Sequence, residues 1–224
     1  MTTLDSIEIN PPTAANAAVV WLHGLGADAH DFEPIVPELQ LPASLPVRFV
    51  FPNAPVRPVT INGGMRMRAW YDVLDIDLPR RVDEAGVRDS GAAVTALLDR
   101  ERERGIDPGR IVLAGFSQGG AVALHSGLRY SHKLAGMLAL SCYLLMPESL
   151  ETEVNPTNRD TPVFMSHGSF DQVIPVRYGQ AGAEKLTDMG YPLKWQEYPM
   201  PHAVHPQQIR DIGTWLREVL GKQG

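Results

Sequence analysis

The sequence predicts an α/β protein with a mostly parallel central sheet and helices on both faces of that sheet. Short, β-rich apolar runs alternate with helical patterns along the chain, which is typical of this fold class. Most of the runs lack polar alternation, as expected for strands that are buried on both faces. The length of 224 residues suits one domain, so we expect a single domain over residues 1–224.

The predicted strands are short apolar runs bounded by Gly, Pro, Asn or Asp. They span residues 18–22, 47–51, 111–114, 137–140, 163–166 and 193–198. The predicted helices carry apolar residues at helical spacing. They span residues 84–104, 118–130, 175–190 and 206–221. Two long segments, residues 54–82 and 143–160, do not fit this alternation, and we expect them to be loops that build or cover a site.

Composition argues against several classes of protein. The net charge of −6 disfavours nucleic acid as a partner. The single cysteine, Cys142, cannot form a disulfide within the chain, and we expect it to be a small buried residue. We find no signal-peptide pattern and no apolar run of the roughly 20 residues that a membrane helix needs. We therefore expect a cytoplasmic protein without an integral membrane segment.

Residues 99–105 form a run of mixed charge, and we expect this run to be the solvated end of a helix.

The most informative local motif is Gly115-Phe116-Ser117-Gln118-Gly119, which fits the pattern G-x-S-x-G. In this pattern a strand turns sharply into a helix, and the serine sits at the turn in a strained conformation. Crowding there requires small residues two positions before and after the serine. An apolar run precedes the motif and an apolar helix follows it, so the expected context is present. The alternative is a glycine-rich turn that happens to contain serine, but the context favours Ser117 as a nucleophile.

A serine nucleophile needs a base and a group that orients the base. In hydrolases with this strand–turn–helix motif, the chain order is serine, then acid, then histidine. Asp171 follows the predicted strand at 163–166, although a helix cap or turn aspartate is the simpler interpretation of this residue. His202 and His205 both follow the last predicted strand. We favour His202 as the base because it lies closer to the strand, whereas His205 adjoins the start of the last helix.

A developing oxyanion needs two N–H donors. One is expected from Gln118, the residue after the serine, and the other from a loop that follows an early strand. Residues 23–26, with the sequence His-Gly-Leu-Gly, follow the first predicted strand, and their glycines would allow a close approach of the backbone. A phosphate-binding turn is the alternative for this loop, but neither G-x-x-x-x-G-K-[ST] nor G-x-G-x-x-G is present.

The order of these motifs resembles that in the small carboxylesterases related to acyl-protein thioesterases, and the bacterial branch matches best. The resemblance extends from about residue 19 to residue 220 of the chain. The motifs that carry it are LHGLG (22–26), PNAP (52–55), WYD (70–72), GFSQGG (115–120), HGSFDQVIP (167–175) and YPMPHAV (198–204). The chain departs from the family at Pro201, where many relatives have glycine or methionine, and this proline stiffens the approach to His202.

The resemblance implies an α/β-hydrolase fold without a large cap domain. It implies Ser117 as the nucleophile, Asp171 as the acid and His202 as the base, with no metal and no cofactor. It also places the backbone N–H groups of Leu25 and Gln118 in the oxyanion hole.

A substrate groove is the second site that the resemblance implies. Leu25 and the loop around Trp70 are expected to line it. Arg66 and Arg68 precede Trp70 in the chain, and a position facing the groove would let them alter substrate preference.

The predicted function is hydrolysis of short- to medium-chain carboxylic esters through an acyl-enzyme intermediate. The alternative is an acyl-protein thioesterase or lysophospholipase that uses the same triad. A dienelactone-hydrolase-like enzyme is disfavoured because its nucleophile is usually cysteine. A non-catalytic binding protein is disfavoured because such a protein should have lost a triad member. The expected partner is a small-molecule or lipid ester, and the resemblance also allows a homodimer.

Overall fold

The computed structural model describes residues 4–75 and 81–221 of the chain. Strands and helices alternate through most of this part of the chain. In chain order the elements are β1 (Ser6–Ile9), β2 (Ala17–Leu22), β3 (Val47–Pro52), β4 (Val56–Val59), β5 (Met65–Arg68), α1 (Glu84–Glu103), β6 (Ile111–Phe116), α2 (Gln118–Arg129), β7 (Gly136–Leu140), α3 (Leu150–Glu153), β8 (Val163–Gly168), α4 (Val176–Asp188), β9 (Leu193–Tyr198) and α5 (Pro206–Leu220).

Seven of these strands form one sheet in the order β1-β3-β2-β6-β7-β8-β9. Strand β1 pairs antiparallel with β3, and the other neighbouring strands pair in parallel. Parallel neighbours need long crossover connections, and the helices lie in these connections. The mostly parallel sheet predicted from the sequence is therefore confirmed. Strand β1 has no counterpart in the prediction, because four partly buried residues at a sheet edge carry too weak a pattern.

Apolar side chains pack against both faces of the sheet. Every residue of β2 is buried, which explains why this run shows no polar alternation. Along β2, Val20 belongs to the core cluster that contains residues of α1, α2 and α4, whereas Val19 belongs to the cluster that contains residues of α5. Helices thus cover both faces, as predicted. The helices α1, α2, α4 and α5 also begin and end within two residues of their predicted bounds.

The segment 54–82 is not simply a loop, and the prediction is wrong on this point. Strands β4 and β5 form a separate antiparallel hairpin, in which Val56 lies opposite Arg68. Most side chains of the hairpin are at least partly exposed, so the hydrophobic pattern does not reveal it. An isolated bridge joins Val73 to Val82 beyond the hairpin, and residues 76–80 lie outside the described residues. The segment 143–160 likewise contains the short helix α3.

The charged end of α1 also differs from the prediction of a solvated run. The side chain of Glu101 is fully buried, and it accepts hydrogen bonds from Arg48 at 2.8 Å and from Arg104 at 2.9 Å. Arg104 also donates to Glu8 of β1. This network ties the end of α1 to two strands at one edge of the sheet, so a run of mixed charge does not by itself indicate a solvated surface.

The carboxyl ends of the parallel strands meet along one edge of the sheet. Leu22 at the end of β2 lies opposite Gly115 of β6. Further along the sheet, Gly168 at the end of β8 lies opposite Tyr198 at the end of β9. The loops that follow β2, β6, β8 and β9 are therefore neighbours, and these loops carry the candidate residues of the site.

Candidate active site

Ser117 occupies the single residue between the end of β6 and the start of α2. Its backbone has a φ of 55° and a ψ of −123°, a conformation that side-chain-bearing residues rarely adopt. The flanking glycines are required by close contacts. A Cβ on Gly115 would lie 2.3 Å from the Gly119 carbonyl oxygen, and a Cβ on Gly119 would lie 2.4 Å from the His23 carbonyl oxygen. The turn therefore has the crowding that the G-x-S-x-G pattern predicts.

His202 lies within hydrogen-bond distance of both Ser117 and Asp171. Its Nε2 atom is 2.9 Å from the Ser117 Oγ, and its Nδ1 atom is 2.6 Å from Oδ2 of Asp171. The ring of Phe116 packs against the imidazole with a distance of 4.8 Å between ring centroids. Ser117, His202 and Asp171 thus form one chain of hydrogen bonds, although Asp171 lies 54 positions after Ser117 and His202 lies 31 positions after Asp171. Such a chain can remove a proton from a hydroxyl and stabilise the resulting imidazolium.

Asp171 is buried and held by donors on both of its carboxylate oxygens. Oδ1 accepts from the backbone N–H groups of Val173 and Ile174 at 2.9 and 2.8 Å. Burial alone would raise the pKa of Asp171, but hydrogen bonds from His167, His202 and the Ile174 N–H hold that pKa well below its ordinary value. The carboxylate is therefore ionised at neutral pH. Asp171 organises the loop before α4 through the two hydrogen bonds that its Oδ1 accepts, as the turn interpretation predicted.

The backbone N–H of Gln118 is free of the helical hydrogen-bond ladder, because Gln118 is the first residue of α2. The loop at residues 23–26 lies beside it, and both Leu25 and Gln118 line the same cavity as Ser117. His23 fixes the geometry of this loop. Its Nε2 accepts from the Ala54 N–H at 3.0 Å, so Nδ1 carries the proton and donates to the Gly24 carbonyl at 2.7 Å. Burial lowers the pKa of His23, which is consistent with this neutral form.

Trp70 does not line the cavity, and this prediction is wrong. Its side chain is fully buried, and its Nε1 donates to the His23 carbonyl at 2.9 Å. The Gln118 side chain accepts from the Trp70 backbone N–H and donates to the Tyr71 carbonyl, both at 2.8 Å. Trp70 therefore supports the loop at 23–26 from behind. No local pattern indicates this, because an aromatic residue beside a groove has the same pattern whether its side chain faces the groove or the core.

A cavity of about 320 Å³ opens at Ser117. Its apolar wall includes Leu25, Ile61, Val73, Phe116, Val173 and Ile174. Tyr71 and Tyr143 contribute polar groups to the same wall. Tyr71 and Val73 belong to the loop around Trp70, so this loop lines the cavity as expected although Trp70 itself does not, and Tyr143 was not predicted from the sequence. The expectation that Leu25 contacts the groove agrees with this lining. A mainly apolar cavity with a few polar groups near a reactive serine suits an acyl or alkyl chain.

The remaining candidates lie outside this cavity. Arg66 donates to the Val56 carbonyl and Arg68 to the Ala54 carbonyl, and neither residue lines the cavity. His205 caps α5, where its side chain accepts from the Gln207 N–H at 3.1 Å, as its position in the sequence indicated. Cys142 is buried, as expected. Residues 4–75 and 81–221 contain no cluster of three or more side chains suited to hold a metal ion. In the same residues, no helix is long and apolar enough to cross a membrane.

Comparisons with known proteins relate the whole described chain to one family. A model of the phospholipase/carboxylesterase family matches residues 5–220. Acyl-protein thioesterase 1 of Gibberella zeae is 39% identical over 213 residues, which cover 91% of this chain and 91% of that protein. Acyl-protein thioesterase 1 of Neurospora crassa is 40% identical over 215 residues, which cover 92% and 88%. The crystal structure of Arabidopsis thaliana SOBER1 has a TM-score of 0.86 and 32% identity, and the match covers 92% of this chain and 100% of that chain.

Proposed function

Because the chain belongs to the phospholipase/carboxylesterase family, we propose that it is a serine hydrolase similar to the acyl-protein thioesterases. We propose that Ser117 is its nucleophile, His202 its base and Asp171 the acid that orients the base. The family assignment and the α/β-hydrolase fold of its structural neighbours establish a hydrolase of ester or thioester bonds. The observation that carries the assignment of residues is the continuous set of hydrogen bonds from the Ser117 Oγ through His202 to Asp171, at 2.9 and 2.6 Å.

In the proposed reaction, His202 Nε2 takes the proton of the Ser117 hydroxyl as Oγ attacks the acyl carbonyl carbon. The carbonyl oxygen gains the negative charge and accepts hydrogen bonds from the N–H groups of Leu25 and Gln118. Asp171 holds the imidazole in the correct tautomer and stabilises the imidazolium. His202 then gives its proton to the leaving thiolate or alkoxide, and the acyl group stays on Ser117. A water molecule repeats the attack, with His202 again as base, and releases the carboxylic acid.

The sequence alone ranked a short- to medium-chain carboxylesterase above a thioesterase. The comparisons favour the reverse order, because the relatives with the highest identity reported above are both named acyl-protein thioesterase 1. The triad attacks a thioester and an oxygen ester through the same tetrahedral intermediate, so the residues cannot distinguish the two. The names of these relatives support placing the thioesterase first, and carboxylesterase activity on simple esters is the second candidate.

The test of this proposal compares one acyl group in two linkages. A peptide acylated on a cysteine sulfur and the same peptide acylated on a serine oxygen are each incubated with the wild type and with Ser117→Ala. We expect hydrolysis of the thioester with the higher kcat/KM, and a loss of kcat on the order of 10⁴-fold in Ser117→Ala. A fluorophosphonate probe should label the wild type at Ser117 only.

Two results would contradict the proposal in different ways. Retention of most activity by Ser117→Ala would remove Ser117 from the mechanism. Loss of activity in Ser117→Ala together with a preference for the oxygen ester would retain the triad but favour the carboxylesterase. Cleavage of neither linkage, with no labelling by the probe, would favour a binding protein.

A further inference from the structure

Two phenols meet in the wall of the cavity beside Ser117. The hydroxyl oxygens of Tyr71 and Tyr143 are 2.7 Å apart, the usual length of a hydrogen bond between two hydroxyl groups. Both residues line the cavity, and only 2% of Tyr71 and 5% of Tyr143 is exposed. Tyr71 follows the hairpin and Tyr143 follows β7, so two distant segments converge to make this pair.

The pair has one hydrogen-bond donor more than it uses. Each phenol carries one proton, and only one of the two protons can lie between the oxygens. Within residues 4–75 and 81–221, neither hydroxyl has a second protein group as a hydrogen-bond partner. Burial raises the pKa of Tyr143 to about 12 and the pKa of Tyr71 well above its ordinary value, so both phenols keep their protons at neutral pH. One O–H group therefore remains available in the cavity wall.

Apart from the two phenols, the proposed catalytic groups and Asp31, the wall of the cavity is mainly apolar. Leu25, Ile61, Val73 and Ile174 form much of the remaining wall. A substrate chain made only of methylenes would fill the cavity but leave the O–H group without an acceptor. A buried donor without a partner is costly, and a site that contains one discriminates strongly against ligands that cannot satisfy it. The wall is therefore not equivalent to a simple hydrocarbon pocket.

We propose that the Tyr71–Tyr143 pair selects substrates whose chain in this cavity carries an oxygen atom, such as an ether, a hydroxyl or a keto group. The pair is a specificity-determining element: one proton lies between the two phenol oxygens, and the second proton binds the substrate oxygen. This inference rests on the proposed function, because it requires that the cavity at Ser117 holds part of the substrate.

Either phenol can donate its proton to the substrate oxygen when the hydroxyl of the other is removed. If Tyr71 becomes phenylalanine, the hydroxyl of Tyr143 loses its partner but keeps its own proton for the substrate. The same holds for Tyr71 when Tyr143 becomes phenylalanine. Either single variant should therefore keep the selectivity, and only the double variant Tyr71→Phe/Tyr143→Phe should lose it.

The experiment uses pairs of p-nitrophenyl and thiophenyl esters of equal chain length, in which one member has an ether oxygen in place of one methylene. The position of the oxygen is varied along the acyl chain, and a second series places it in the alcohol chain. The measured quantity is the ratio of kcat/KM for the ether ester to kcat/KM for the alkyl ester. The intrinsic reactivity of each ester is the same for every variant, so it cancels when the ratios of two variants are compared.

We expect this ratio to be about tenfold higher in the wild type and in both single variants than in the double variant, for at least one position of the oxygen. Tyr130→Phe is the matched control, because the Tyr130 hydroxyl bonds to Asp99 and does not line the cavity. This control should have the wild-type ratio. A double variant with the wild-type ratio at every oxygen position would overturn the proposal.

A second measurement needs no variant and so does not depend on how the double variant folds. Alkylboronic acids with and without an ether oxygen, matched in length, bind reversibly to an active-site serine, and their Kd values are compared on the wild type. The ether series should contain a member that binds about tenfold more tightly than its alkyl partner, and equal Kd values throughout would also overturn the proposal. Labelling of Ser117 by fluorophosphonate, measured in parallel, separates a failure of the tyrosine pair from a failure of the proposed hydrolase.

Discussion

The Nε2 atom of His167 lies 3.4 Å from Oδ2 of Asp171, and both side chains are fully buried. The same Nε2 atom is 2.7 Å from the Ile174 carbonyl oxygen, which can only accept, so Nε2 carries a proton. The Asp171 Oδ2 atom is therefore approached by two imidazole N–H groups, one from His167 and one from His202. The His167 ring packs closely against the backbone of Gly179, where a Cβ atom would lie only 2.4 Å from the His167 Nδ1 atom.

From this geometry we predict that His167 is a positioning residue for Asp171. In His167→Leu the carboxylate loses one of the hydrogen bonds that hold its pKa low, so the pKa of Asp171 rises towards its ordinary value. The loss of activity on acidification should therefore begin at a higher pH, and kcat/KM at neutral pH should fall about tenfold because Asp171 orients His202 less firmly. His125→Leu is the matched control, because His125 is a buried histidine in α2 with no contact to Asp171. An unchanged pH profile in His167→Leu would contradict the prediction.

Strain at Ser117 leads to a prediction about stability. Ser117→Ala and Ser117→Gly both remove the hydroxyl, but only glycine adopts a φ of 55° with a ψ of −123° at little cost. We expect Ser117→Gly to be more stable than Ser117→Ala by about 1 kcal/mol in urea denaturation, or about 2–4 °C in Tm. Ser149 has an ordinary φ of −88°, so there the order should reverse. If alanine were at least as stable as glycine at position 117, as expected at position 149, Ser117 would not be strained.

The Gln118 side chain should be important for stability although its backbone N–H carries the proposed catalytic role. Gln118→Ala leaves the Trp70 N–H and the Tyr71 carbonyl buried without partners. We expect a loss of about 2 kcal/mol in the free energy of unfolding, measured in urea. Gln207→Ala is the matched control, because Gln207 is exposed at the start of α5, and it should lose less than about 0.5 kcal/mol. Equal losses of unfolding free energy in Gln118→Ala and Gln207→Ala would show that the hydrogen bonds of the Gln118 side chain do not stabilise the fold.

Much of the site could be predicted because of how parallel sheets are built. The carboxyl ends of parallel strands share one edge, so residues that directly follow successive strands are brought together. This is how Ser117, Asp171 and His202, which are far apart in the chain, could be proposed as neighbours. The same rule placed the loop at residues 23–26 beside the serine.

Other features depend on contacts that no local pattern encodes. The backbone N–H of the buried Trp70 is bound by the Gln118 side chain, which lies 48 positions away in the chain. The β4–β5 hairpin is stabilised by backbone pairing between its two strands rather than by a buried apolar face, so hydrophobic periodicity does not reveal it. The pairing of Tyr71 with Tyr143 spans 72 positions and depends on the fold being complete. Each feature is a long-range side-chain or backbone pairing, which is visible only after the sheet order is known.

The charged end of α1 gives the last prediction, because two glutamates two residues apart should behave in opposite ways. Glu101 is fully buried between Arg48 and Arg104, whereas Glu103 is exposed on the same helix. Removing one partner of a buried ion pair leaves the other charge without compensation, so Glu101→Gln should lose about 3 kcal/mol in urea denaturation. Glu103→Gln should change the free energy of unfolding by less than about 0.5 kcal/mol. Salt screens a buried pair much less than an exposed one, so the loss in Glu101→Gln should persist at about 1 M NaCl. A loss that disappears in salt would mean that the arginines reach solvent and that the carboxylate contributes only a surface interaction.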